Sequence, residues 1–151
     1  MATVSDSTLY TVKVNIEEIK NRTLKATVRD HTLVIDQPKE FGADDQGPTP
    51  PELLAVAFGS CIVSTIQLIA AQRDIQVNNI KVAVEGTVDF AKALGISDAG
   101  RPGLAGLNAH ISFEAPLLSE EQKQQIIDQV AAVGAALDNI ENNTPVTYTL
   151  I

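Results

Sequence analysis

Cysteine, histidine, tryptophan and positive charge are all scarce in this chain of 151 residues, and each scarcity closes off a class of protein. A single cysteine, Cys61, cannot form an internal disulfide, so the chain is no disulfide scaffold. Two histidines, His31 and His110, together with that cysteine supply too few nitrogen and sulfur ligands for a closed tetrahedral zinc site. Asp44-Asp45 lacks the ladder of oxygen ligands that a calcium loop needs and reads as a solvated turn. Glu17 and Glu18 alternate faces on a strand and cannot converge on one proton. With no tryptophan and 4% aromatic residues there is little from which to build an aromatic cage or a base-stacking platform. Eleven Lys and Arg stand against nineteen Asp and Glu, giving a net charge of -8 and a pI near 4.6. That balance disfavours nucleic acid and anionic membrane surfaces as partners. The opening MATVSDSTLY has no basic region followed by an apolar core, so no secretory signal is read there, and a reduced, cytoplasmic protein is expected.

What is present is apolar mass. Hydrophobic residues make up 44% of the chain, enough for a real core, and the length suits a single domain spanning 1–151. Thr8 to Lys20 is rich in β-branched residues and places Val12, Val14 and Ile16 on one face, so it reads as a strand. Thr23 to Arg29 and Thr32 to Asp36 continue an antiparallel meander. A loop rich in glycine and proline follows. Thr49-Pro50-Pro51-Glu52 then opens a helix through a T-x-x-E capping box with proline in its first turn. This helix is expected to run to about Arg73. Its Leu53–Ala71 stretch has the length of a membrane span, but Gly59, Ser60, Ser64, Thr65 and Gln67 interrupt it. It reads instead as a core helix buried on most faces. Ile80 to Phe90 and Leu107 to Ala115 read as strands. Gly100, Gly103 and Gly106 do not match the dinucleotide fingerprint and belong to the connection between them, so no cofactor is expected. Ser119-Glu120-Glu121-Gln122 is a second capping box, followed by a helical stripe of Ile126, Ile127, Val130, Val133 and Leu137. Pro145 to Ile151 reads as a closing strand. The expected class is α+β, in the order β-β-β-α-β-β-α-β.

Most free buried cysteines are small core hydrophobes. Cys61 invites a second reading because Gly59 and Ser60 precede it inside a helix, where glycine costs about 1 kcal/mol relative to alanine. Small neighbours would let another group approach the thiol.

Gly47-Pro48-Thr49-Pro50-Pro51-Glu52-Leu53-Leu54 followed by Gly59-Ser60-Cys61 resembles the signature of the OsmC/Ohr family, the osmotically inducible and organic-hydroperoxide-resistance proteins. Arg29-Asp30-His31 and Asp36-Gln37-Pro38 are similar to its R-x-H and D-x-P elements. Arg101-Pro102-Gly103-Leu104 and Thr144-Pro145-Val146 resemble segments of its OsmC-like branch. The resemblance implies an α+β fold in which two chains intertwine as a homodimer around their central helices. It also implies a thiol peroxidase that reacts with organic hydroperoxides, with Cys61 as the peroxidatic cysteine. Arg29 matches the site arginine, and Glu52 matches the glutamate that would hold the guanidinium.

That chemistry is physically coherent. Thiolate attack on a peroxide cuts the O–O bond and leaves a sulfenic acid. A cysteine in the middle of a helix gains nothing from the positive end of the helix dipole and needs a nearby cation such as Arg29. Glu52 and Cys61 are nine residues apart, which puts them roughly 13 Å apart along a helix axis. Cooperation is therefore expected across the dimer, from Glu52 to the other chain's cysteine. The chain departs from the family in one respect. Peroxidatic members carry a second cysteine on the second long helix, and the matching position here falls near Gly134. An external thiol reductant is thus implied. The alternative is a non-catalytic protein of the same fold that binds a small apolar ligand in the dimer pocket.

Overall fold

The computed structural model describes residues 8–151 and divides the chain into two compact units, Met1–Glu52 and Leu53–Ile151. In the first unit β1 (Asn15–Lys20), β2 (Thr23–Val28) and β3 (His31–Ile35) form a three-stranded antiparallel sheet in the order β1-β2-β3. The turns are tight. Asn21 and Arg22 both take positive φ between Lys20 and Thr23, and Arg29 takes φ 53° between Val28 and His31, the backbone that two-residue hairpins demand. The strand expected from Thr8 is shorter than read: only Asn15–Lys20 pairs, and all six of its residues are exposed. Val12 and Val14 have the right side chains for a strand but no neighbouring strand to bond among the described residues.

Beyond β3 the chain is organised by one carboxylate. Asp36 is 1% exposed. Its Oδ2 accepts from the Gln46 backbone N–H at 2.9 Å and the Thr23 hydroxyl at 3.2 Å, and its Oδ1 accepts from the Gln37 N–H at 2.8 Å. Its own N–H donates to the Pro48 carbonyl at 3.2 Å. Outside this knot, Arg22 donates to the Phe41 carbonyl, and Lys20 and Asn21 reach Asp44. A glycine- and proline-rich loop thereby gains a defined path to Thr49. Donation from Gln46, followed by that from Gln37 and Thr23, holds the Asp36 carboxyl below the usual aspartate range, against the opposing effect of burial. A carboxyl depressed in the folded state stabilises the fold above its unfolded pKa and loses that contribution as pH falls through the folded value. The urea midpoint is expected to fall as pH drops below about 4, and Asp36→Asn is expected to flatten that slope while lowering the midpoint at neutral pH. An unchanged slope in the variant would remove Asp36 from the acid response.

The second unit packs helices on a long hairpin. The division falls within the first turn of α1 (Pro50–Gln72), which matches its expected bounds. Strands β4 (Asn78–Val88) and β5 (Leu104–Glu114) form a two-stranded antiparallel sheet. Half-buried Ile80, Val82 and Val84 alternate with exposed Lys81, Ala83 and Glu85, as a one-sided sheet requires. The core cluster joins Ile62, Ile66 and Ile69 of α1 to Ile126 and Val130 of α2 (Glu120–Val133) and Leu137 of α3 (Ala135–Glu141). The Ser119 capping box forms in both directions, Ser119 Oγ accepting from the Gln122 N–H and Gln122 accepting from the Ser119 N–H.

Three expectations need correcting here. The last helical stripe is two helices: the chain breaks at Gly134, which has an extended ψ of 115° and lies buried between them, and Val133 is exposed. Pro145–Ile151 is not a strand, although its residue types favour one, because no strand of the described chain pairs with it. Last, α1 is not covered on most faces. Gly59, Ile62, Thr65, Ile66, Ile69 and Ala70 form one buried stripe, while Leu54, Val56 and Leu68 remain 45–59% exposed. The helix is long and apolar enough to cross a membrane, with a mean hydropathy of 2.1, yet its buried stripe packs on protein.

Candidate functional site

The entry to α1 is built by its own sequence. Thr49 is buried, its N–H donates to Glu52 Oε2 at 2.7 Å, and its hydroxyl donates to the same oxygen at 2.9 Å. The Glu52 N–H points back to Thr49 Oγ1 at 3.4 Å. One glutamate oxygen thus closes the capping box and ties the helix start to the backbone before it. Glu52 makes no ion pair among the described residues. Its position within this chain is that of a helix cap, with an exposed side chain. Arg29 stands exposed at the β2–β3 turn.

Cys61 lies nine residues beyond Glu52 on α1 and is half-buried, packed against the core cluster. Gly59, two residues earlier, has a different role from the one its place beside a thiol suggests. It is buried, and a Cβ there would lie 3.0 Å from Val84 Cγ2 and 3.7 Å from Val82 Cγ1. The glycine lets the helix approach β4 closely, and that packing offsets its poor helix propensity. The small residue serves the helix–sheet contact.

The polar groups around the thiol come from the following turn. Ser64 Oγ donates to the Cys61 carbonyl at 3.1 Å, and Thr65 Oγ1 lies 3.9 Å from Cys61 Sγ, within reach of a sulfur hydrogen bond. Thr65 is buried at 9% exposure. Sequence reasoning passed over it, although the i,i+4 spacing from Cys61 placed it on the same helix face. Gly134, at the position that matches the family's second cysteine, is buried, and a Cβ there would meet Leu137 Cδ1 and the Val130 carbonyl, each at 3.0 Å. Among the described residues no group of three His, Cys, Asp or Glu is placed to hold a metal ion.

A three-stranded meander, a two-stranded hairpin and a long apolar helix with one half-buried thiol define an α+β protein whose lone cysteine is carried by a core helix. The family model of OsmC-like proteins matches residues 42–149, and the chain belongs to that family. No curated protein matches it. An OsmC-like protein from Mycoplasma pneumoniae shares its fold with a TM-score of 0.76 at 20% identity, over 89% of each chain. An organic hydroperoxide resistance protein OsmC from Legionella pneumophila matches at 0.64 and 17%, over 91% of this chain and 93% of that one. One from Elizabethkingia anophelis matches at 0.64 and 19%, over 90% and 91%.

Proposed function

We propose that this chain is a thiol-dependent peroxidase that reduces organic hydroperoxides through Cys61, as part of oxidative stress defence in the cytoplasm. The observation that carries this reading is a half-buried cysteine with a hydroxyl partner on the central helix of an OsmC-family domain. Structural relatives are described as organic hydroperoxide resistance proteins, which supports the same reading. In the reaction the Cys61 thiolate attacks the terminal oxygen of the hydroperoxide. An S–O bond forms, the O–O bond breaks, sulfur is oxidised to sulfenic acid, and the alkoxide leaves and takes a proton to become the alcohol. Because the chain has one cysteine, an external thiol then condenses with the sulfenic acid and releases water. A second thiol reduces the mixed disulfide and regenerates Cys61. Arg29 would supply the cation that favours the thiolate, and Glu52 would orient it. Intact-mass measurement after a pulse of alkyl hydroperoxide tests the proposal. A gain of one oxygen on Cys61, reversed by a dithiol, supports it, and an unmodified thiol at excess peroxide overturns it in favour of a ligand-binding protein.

The working unit in this reading is a homodimer. Leu54, Val56 and Leu68 stay exposed on the uncovered side of α1, and the strand-like tail exposes Val146, Tyr148 and Leu150. A second copy would cover both, where a membrane would cover the helix face alone, and would bring Glu52 to the other chain's cysteine. Sedimentation equilibrium at micromolar concentration is expected to return twice the 16.1 kDa chain mass. A single-chain mass there would overturn the dimer.

A further inference from the structure

We infer that Thr65 is the hydrogen-bond donor to the reacting sulfur of Cys61, an assignment whose chemical consequence rests on the peroxidase reading. Thr65 Oγ1 and Cys61 Sγ lie 3.9 Å apart on successive turns of α1. A helical threonine usually returns its hydroxyl to the carbonyl four residues back, which here is that of Cys61. That carbonyl already accepts the helical N–H of residue 65 and the Ser64 hydroxyl at 3.1 Å, so its two lone pairs are used. The Thr65 hydroxyl is turned to the sulfur instead. The residue is nine-tenths buried, and no buried side-chain oxygen or nitrogen among the described residues lacks a partner. The thiol is what satisfies it.

The pairing acts differently on the two forms of the cysteine. A neutral thiol and a hydroxyl exchange a weak hydrogen bond in either direction. A thiolate can only accept, and the O–H then makes a charge-assisted bond of about twice the strength. Thr65 therefore favours the thiolate that attacks the peroxide. The donor loses no proton, and the bookkeeping of the peroxide step is unchanged: sulfur gains oxygen, the O–O bond breaks, and the alkoxide is protonated from solvent. A hydroxyl at this position also remains beside the sulfur after oxidation, in a chain that offers the sulfenic acid no second thiol.

Thr65→Val removes the hydroxyl at nearly constant shape, and Thr65→Ser restores it. With iodoacetamide as the probe, the pH profile of Cys61 alkylation in Thr65→Val is expected to move to higher pH. Its rate at pH 7 should fall about three- to tenfold, in line with the difference in strength between a hydrogen bond to the thiolate and one to the neutral thiol. Thr65→Ser should recover most of the rate. A circular dichroism melt on each variant separates this effect from a folding defect. Alkylation profiles that superimpose for the parent and both variants would overturn the assignment. Alkylation does not use peroxide, so the two readings fail separately. A shifted profile in a protein whose Cys61 resists cumene hydroperoxide would keep Thr65 as the sulfur's partner and remove the peroxidase.

Discussion

Cys61→Ser is expected to abolish the peroxide-dependent mass gain that a dithiol reverses, together with dithiol oxidation, while leaving the unfolding midpoint nearly unchanged. The chain has no second thiol to take over, so the loss of that reversible gain should be complete rather than partial; Met1 can add only a sulfoxide, which a dithiol does not reverse. The fold should tolerate the change because Cys61 is only half-buried and contributes to the edge of the core cluster, not its centre. Serine is slightly smaller, and its hydroxyl can exchange a hydrogen bond with Thr65 where the thiol did. A stability change within about 1 kcal/mol follows. In the parent, with nothing internal to condense with, the sulfenic acid should persist long enough for dimedone to trap it. It should then form a mixed disulfide with added thiol or be oxidised further to the sulfinic acid. Peroxide consumption by Cys61→Ser at the parent rate would show that the chemistry lies elsewhere.

The largest expected loss of stability comes from Gly47→Ala. A Cβ at Gly47 would stand 2.3 Å from the Val34 carbonyl oxygen and 2.8 Å from its carbon. Both atoms belong to the backbone of β3, so no side-chain rotation relieves the contact. The chain must move away from β3, and at the next residue this pulls on the bond from the Asp36 N–H to the Pro48 carbonyl. Overpacking of this kind costs about 3 kcal/mol, with more where backbone is displaced. The loosened segment leads directly into Thr49 and the capping box, so the start of α1 should exchange amide protons faster as well. Gly106→Ala is the matched control, because a Cβ at Gly106 in β5 meets nothing within 4 Å. Urea titrations that give equal midpoints for the two variants would contradict the close approach at Gly47.

Gly47 also shows how a recognisable motif can conceal its reason. It heads the segment Gly47 to Leu54 that carries the family resemblance, and on the sequence it reads as a loop glycine. Its contact with β3 explains why no side chain fits there. Gly59 repeats the lesson within the helix, where adjacency to Cys61 suggested access to the thiol and contact with Val84 explains the residue. In both cases the partner lies far along the chain, and spacing carries no information about it.

The sequence by itself determined whatever depends on neighbours within a turn or two. Both capping boxes, the bounds of α1, the hairpin turns and the alternation along β4 follow from interactions three or four residues apart, or from the period-two pleat. The family and its candidate thiol were legible for the same reason, since Pro51-Glu52 and Gly59-Ser60-Cys61 are contiguous strings. Only the tertiary structure decided which segments find a partner. Pro145–Ile151 and Thr8–Val14 have strand composition and pair with no strand among the described residues, whereas Leu104–Gly106 joins β5 beside β4 despite its glycine. It placed the helix break at Gly134, beyond which Leu137 joins Ile62, Ile66 and Ile69 of α1 in the core. Propensity and capping act through the local chain, but strand pairing and close packing are settled by atoms distant in sequence, and those the fold alone brings together.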